Sequence, residues 1–106
     1  MPRKNVPRFD CLAAMRALGE PSRVRIVRRL LEGPHSVNEL CAALELQAYN
    51  ASRHLAVLKA AGLVQVEKSA QQRIYALAES FRTELASNQQ VLDLGCCRFD
   101  FNQLPG

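Results

Sequence analysis

The stretch ASRHLAVLKAAGLV (51–64) decides the reading of this 106-residue chain. Ala51, Leu55 and Leu58 recur at i, i+4 and i+7 and give one apolar helical face. Asn50, Arg53 and Lys59 fall elsewhere on the wheel, and Gly62 supplies a helix stop. A short helix that buries one side and presents amide, hydroxyl and guanidinium groups on the other suits a DNA major groove. An ordinary amphipathic surface helix fits the same pattern, so the flanking sequence has to decide.

Immediately upstream, Ser36 and Glu39 have the spacing of a capping box. In SVNELCAALEL (36–46) the residues Val37, Leu40, Cys41 and Leu44 share one helical face. That helix, a break near Leu46–Gln47 and the next helix form a helix-turn-helix pattern. Downstream the periodicity changes from helical to alternating. VQVEK (64–68) and RIYAL (73–77), separated by SAQQ, predict a β-hairpin. A helix-turn-helix followed directly by a hairpin is a winged helix, and this order is far more specific than one amphipathic segment.

Toward the N-terminus, GEPSRVRIVRRLLEG (19–33) predicts a helix opened by Pro21 or Ser22 and ended by Gly33 and Pro34. Val24, Val27 and Leu31 would be its buried face, and Arg23, Arg25, Arg28 and Arg29 either a solvated face or phosphate contacts. Before it, Leu12, Met15 and Leu18, with Phe9 and Cys11 beside them, predict a first helix from Arg8 to about Gly19. Residues 1–7, with Pro2, Arg3, Lys4 and Pro7, read as a basic N-terminal arm, and 8–90 as the winged-helix domain.

Composition agrees with such a domain. The length suits one domain, and 48% hydrophobic residues suit a globular one. Fourteen Lys and Arg against ten Asp and Glu give +4, and from Arg3 to Arg29 eight basic residues face only Asp10 and Glu20. That balance favours polyanionic partners. No apolar run approaches a membrane span, and no apolar signal core follows the basic start, so a cytoplasmic protein without membrane contact is expected. Four cysteines, two of them adjacent, do not resemble a secreted disulfide framework; in a reducing cytosol all four are expected as thiols. Clustered acid–base pairs and His–nucleophile patterns are missing, so no enzyme is expected. VLDLGCC (91–97) looks like a nucleotide-binding strand and turn, but no βαβ unit follows it.

Over LGEPSRVRIVRRLLEG (18–33), SVNELCAAL (36–44), ASRHLAVLKAAGLV (51–64) and RIYAL (73–77) the chain resembles the ArsR/SmtB-type bacterial transcriptional repressors. The resemblance implies a mostly α-helical, homodimeric winged helix-turn-helix protein with a small β-hairpin. It further implies binding to an inverted-repeat operator in double-stranded DNA, with release when an inducer, often a metal or metalloid, binds. Carried onto this chain, the recognition helix spans roughly Ala48–Ala61, and Gln47, Tyr49, Asn50, Ser52 and Arg53 face the groove. Gln47 or Asn50 would pair with adenine and Arg53 with guanine, while Ser52 would bond a phosphate. Tyr49 would touch a thymine methyl or pack on the preceding helix. His54 matches the family pattern and reads as a helix-packing residue. In the wing, Lys68, Gln71, Gln72 and Arg73 are placed for backbone or minor-groove contact, or form a solvated tip.

The family's arsenic site at the start of the third helix uses three cysteines, but here Ser36-Val37-Asn38-Glu39-Leu40-Cys41 keeps only the last. Its zinc site on the last helix uses Asp and His ligands, and the only histidines here are His35 and His54. Soft ligands are instead concentrated at Cys96-Cys97 in the segment 91–106, expected to serve dimerisation and sensing. Thiolates favour soft ions, and relatives with adjacent C-terminal cysteines imply a trivalent arsenical as inducer, with Cys11 as a third sulfur. A thiol-redox or persulfide switch, and purely structural cysteines in a protein-interaction module, remain the alternatives. Family members end in a long dimerisation helix. Here SFRTELASNQQ (80–90) predicts a short one with Phe81 and Leu85 one turn apart, and then a strand or irregular arm over 91–101.

Overall fold

A computed structural model of the chain describes residues 10–95 and 97–103. The expected arm 1–7, the helix start at Arg8 and Phe9, and Cys96 lie outside the described residues. The first three helices begin where the sequence supplies acceptors for their first amides. The Asp10 carboxylate accepts from the Leu12 N–H ahead of α1 (Cys11–Ala17). Glu20 accepts from the N–H groups of Ser22 and Arg23 at 2.6 and 3.2 Å, and Pro21 opens α2 (Pro21–Leu30). Ser36 and Glu39 form the expected capping box: the Glu39 N–H donates to Ser36 Oγ, and the Ser36 N–H to Glu39 Oε1, starting α3 (Val37–Leu44).

The first helix buries Leu18 as expected but turns the rest of its buried face from Leu12 and Met15 toward its alanines. Ala14, Ala17 and Leu18 are in the core, whereas Leu12 is 53% exposed. α1 rests on α4 (Ala48–Ala60), and its two buried alanines allow a close approach that larger side chains would prevent. Apolar size alone marked Leu12; packing selected the small residues. Val24, Ile26, Val27 and Leu30 fill the α2 face. In α4 the stripe Ala51, Leu55 and Leu58 is fully buried, as its spacing predicts.

The wing is an antiparallel hairpin of β2 (Val64–Ser69) and β3 (Gln72–Leu77), paired from Val64↔Leu77 to Ser69↔Gln72. Ala70, in the connecting turn, has φ 54°. A strand of two residues, β1 (His35–Ser36), adds to the other edge of β3 through His35↔Tyr75 and Ser36↔Ile74. Two residues carry no periodicity, so this strand was invisible to sequence patterning.

The short C-terminal helix α5 (Glu79–Ser87) buries Phe81 and Leu85, as expected. Gln89 and Gln90 then take left-handed conformations, φ 55° and 67°, and turn the chain back. The segment beyond is a second hairpin, β4 (Val91–Asp93) against β5 (Arg98–Asp100). Leu92, Leu94 and Phe101 enter the same core as Leu30, Leu40 and Leu58. The Phe101 ring meets Phe81 edge-on with centroids 6.2 Å apart and lies 6.4 Å from Phe99.

Candidate nucleic-acid interface

The buried stripe of α4 fixes which of its side chains face outward. Gln47, Tyr49, Ser52 and Arg53 are exposed along one side, and Asn50 is half-buried at its margin. Tyr49 is 73% exposed, with the Arg53 guanidinium carbon 5.7 Å from its ring centre. That geometry decides between the two expectations for Tyr49: it stands out from the helix as a platform for the arginine and does not pack on α3. The pair shares an i, i+4 spacing, so the ring limits the freedom of the guanidinium that would meet a base or phosphate.

His54, on the flank of the same helix, sits inside a brace. The Arg23 Nη1 group lies 3.2 Å from His54 Nδ1, Arg23 Nε donates to the Ala17 carbonyl at 2.6 Å, and Nη2 donates to the Arg16 carbonyl at 3.4 Å. One guanidinium thus joins the end of α1, the start of α2 and the recognition helix. Two other α2 arginines act similarly. Arg25 donates to the Leu44 carbonyl at the end of α3, and Arg28 donates to the carbonyl of Phe101. Arg29 meets Glu32 at 3.4 Å on the surface. For Arg23, Arg25 and Arg28 the alternatives of a solvated face or phosphate contact give way to tertiary ties, four of them to backbone carbonyls, while Arg29 keeps the solvated face.

The wing supplies the second arm of the interface. Lys68, Gln71, Gln72 and Arg73 are all exposed. Strand alternation puts Lys68 and Arg73 on the face that carries Val66 and Tyr75 nearer the core, and puts the wing's one acid, Glu67, on the other face. Lys68 and Arg73 are also direct cross-strand partners. Two like charges opposite one another destabilise a hairpin, and no acid among the described residues forms an ion pair with either. A ligand anion is the natural complement of such a pair.

Sequence reasoning missed Asn38. It lines a concavity of about 300 Å³ together with Ser36, Val37, Ser52, Gln71, Gln72 and Arg73. The register of β1 explains the juxtaposition: because Ser36 pairs with Ile74, the chain entering α3 runs beside Arg73 and Gln72. The capping box at Ser36 was a readable sign that a helix begins here; its neighbour in space was set by the unread strand.

The cysteines are distributed as follows. Cys11, half-buried at the start of α1, is disulfide-bonded. The expectation of four thiols came from redox compartment, whereas geometry alone decides which sulfurs meet. Cys97 is half-buried against the core before β5, and its carbonyl accepts from the Leu94 N–H at 2.9 Å. Cys41 is half-buried within α3. Cys96 lies outside the described residues. Among the described residues no group of three His, Cys, Asp or Glu side chains converges as a metal site would require.

The chain is similar to known regulators. Residues 20–66 match the model of the bacterial regulatory protein, arsR family. Over 65 residues it is 43% identical to the HTH-type transcriptional repressor SmtB of Mycobacterium tuberculosis, covering 61% of this chain and 48% of that protein. The chain spans about half the length of the curated relatives it matches first. The structure of reduced HlyU from Vibrio cholerae superposes with a TM-score of 0.63 at 33% identity, covering 73% of this chain and 85% of that one. The homodimeric winged helix-turn-helix DNA-binding domain of Mb0332 from Mycobacterium bovis gives a TM-score of 0.67 at 26% identity, covering 74% and 73%. No helix among the described residues is long and apolar enough to cross a membrane.

Proposed function

We propose, since the chain belongs to the arsR family of bacterial regulatory proteins, that it is a cytoplasmic, homodimeric transcriptional repressor of the metal- or redox-sensing kind. The observation that carries this reading is the recognition helix: its apolar stripe is sunk in the core while Gln47, Tyr49, Ser52 and Arg53 stand outward. Beside it, a wing carries a Lys68–Arg73 pair that no acid among the described residues compensates. In the two-fold dimer, two recognition helices would enter successive major grooves about 34 Å apart and read an inverted repeat. Gln47, Asn50 and Arg53 would contact base edges, and Lys68, Gln71, Gln72 and Arg73 the flanking backbone or minor groove.

For the inducer, the reading is a trivalent arsenical held by thiolates of Cys11, Cys96 and Cys97. The donor chemistry suits it, because sulfur ligands select soft ions. Cys11 would first have to be released from its disulfide, a two-electron reduction, before its sulfur could serve as a ligand. That same disulfide supports a second reading, in which oxidation at Cys11 is itself the signal and no ion is needed. Either event would act by favouring a dimer arrangement whose helix spacing misfits the operator. A differential affinity of a few kcal/mol, of order 1–3 for typical couplings, suffices to shift occupancy substantially.

The test is fluorescence anisotropy of a labelled duplex from upstream of the protein's own gene. Affinity should fall steeply with added salt, as phosphate neutralisation requires; salt-insensitive binding or none would favour a protein-interaction module. Under reductant, arsenite, methylarsenite, zinc and copper(I) are titrated separately. Release by arsenicals alone, abolished by Cys96→Ser, supports the arsenical reading. Release by diamide without any ion, reversed by dithiothreitol and lost in Cys11→Ser, supports the redox reading instead.

A further inference from the structure

The geometry points to one DNA backbone phosphate seated where α3, α4 and the wing meet, with Asn38 as a positioning residue that holds it alongside Ser52 and Arg73. This inference rests on the DNA-binding reading and adds to it a residue outside the recognition helix and the wing. The seat is the 300 Å³ concavity lined by these side chains. Its chemistry fits a phosphodiester: Arg73 brings charge, Asn38 and Ser52 bring neutral donors, and none of the lining residues is acidic. Asn38 and Ser52 are exposed, and no hydrogen bond within the described residues occupies their side chains. Arg73 likewise meets no acid among the described residues. Donors left open in a concave site with one cation are suited to a singly charged anion.

The position gives the seat its purpose. Asn38 belongs to the first helix of the helix-turn-helix, Ser52 to the recognition helix and Arg73 to β3. A phosphate touching all three would fix the wing and the recognition helix in one register on the duplex. It would do so without reading sequence, because phosphate contacts orient and base contacts specify.

The experiment uses the full chain and a set of duplexes in which single phosphates are replaced by neutral methylphosphonates. Asn38→Ala should weaken binding to the unmodified duplex about tenfold per half-site, about a hundredfold for the dimer, the effect of losing one hydrogen bond to a charged group in each subunit. The loss should be the same on specific and scrambled duplexes. The slope of log K against log salt should stay unchanged for Asn38→Ala and shrink by about 1.8 for Arg73→Gln, which removes one charge contact, about 0.9, in each half-site of the dimer. At one methylphosphonate position per half-site, wild type should lose affinity, and Asn38→Ala should lose less than wild type there, because only the Ser52 and Arg73 contacts remain to be weakened. An unaffected Asn38→Ala, or a loss of equal size at every methylphosphonate position, overturns the seat while the DNA-binding reading stands. If wild type binds no duplex in a salt-dependent way, both fall together. Unchanged urea midpoints for Asn38→Ala and Ser52→Ala, both surface changes, separate these outcomes from misfolding.

Discussion

Arg23 illustrates how a residue's chemistry was legible while its role was not. Its position in an arginine-rich helix suggested solvent or phosphate, since both accept a guanidinium. In the structure its three nitrogens are directed to two carbonyls at the end of α1 and to the ring of His54. Those carbonyls belong to the last turn of α1, where few backbone donors remain and the helix dipole has its negative end, so a cation is well suited to them. A planar fork with donors in several directions is needed, which lysine does not offer. Arg23→Ala should therefore lower the unfolding free energy by about 2 kcal/mol, and Arg23→Lys should recover little of it. Urea denaturation followed by circular dichroism measures both. A loss below about 0.5 kcal/mol, the usual range for surface changes, would show the brace to be incidental. By contrast, the burial of Ala51, Leu55 and Leu58 could be read directly, because a 3.6-residue period needs no knowledge of distant partners. The unexpected exposure of Leu12 follows from the same limit: periodicity finds an apolar residue, but only the partner surface decides whether an alanine fits better.

At the scale of elements, starts were more legible than stops. Ser36 and Pro21 announce helix N-termini through groups that lie within three residues, and the structure adds Glu20 as the cap of α2. The end of α3 had no such announcement. Glu45 closes it with φ 57° and ψ 48°, and the Leu46 N–H returns to the Cys41 carbonyl at 3.1 Å. This left-handed position is the one that glycine usually fills, and a side chain there costs roughly 1–2 kcal/mol. Glu45 is exposed, so its side chain offers little packing in return. Glu45→Gly should raise stability by about 1 kcal/mol and leave the α3–α4 turn unchanged. A higher urea midpoint with an unchanged m-value is the expected signature; a lower midpoint would mean that the backbone freedom gained by the unfolded chain outweighs the relieved strain. β1 lay beyond any reading of local pattern. Its two residues are strand only because Tyr75 and Ile74 pair with them, yet they bring Asn38 to the wing and so complete the candidate interface.

The whole molecule differs most from expectation at its C-terminal segment. A strand or irregular arm was anticipated there, with a dimerising and sensing role; within the chain, it folds as a hairpin that finishes the core. Phe101 is 1% exposed, its ring packs on Phe81, its N–H donates to the Gln90 carbonyl at 3.0 Å, and its carbonyl accepts from Arg28. Alternation in VLDLGCCRFDF allowed a strand to be inferred, but the partner of a strand is a tertiary fact. Since Phe81 and Leu85 share one cluster with Leu92 and Phe101, the short α5 has its apolar face covered from within the same chain. Phe101→Ala should then remove about 3–5 kcal/mol, the cost of emptying a buried aromatic site. That is a large share of the roughly 5–15 kcal/mol available to a domain of this size. The dependence on concentration distinguishes self-packing from packing against a second subunit. If the hairpin closes its own core, the loss is equal at low and high protein concentration, even where the proposed dimerisation raises the midpoint of both proteins. A loss that grows with dilution would mean that Phe101 also supports the subunit interface, and the C-terminal hairpin would then couple cysteine chemistry directly to dimer geometry.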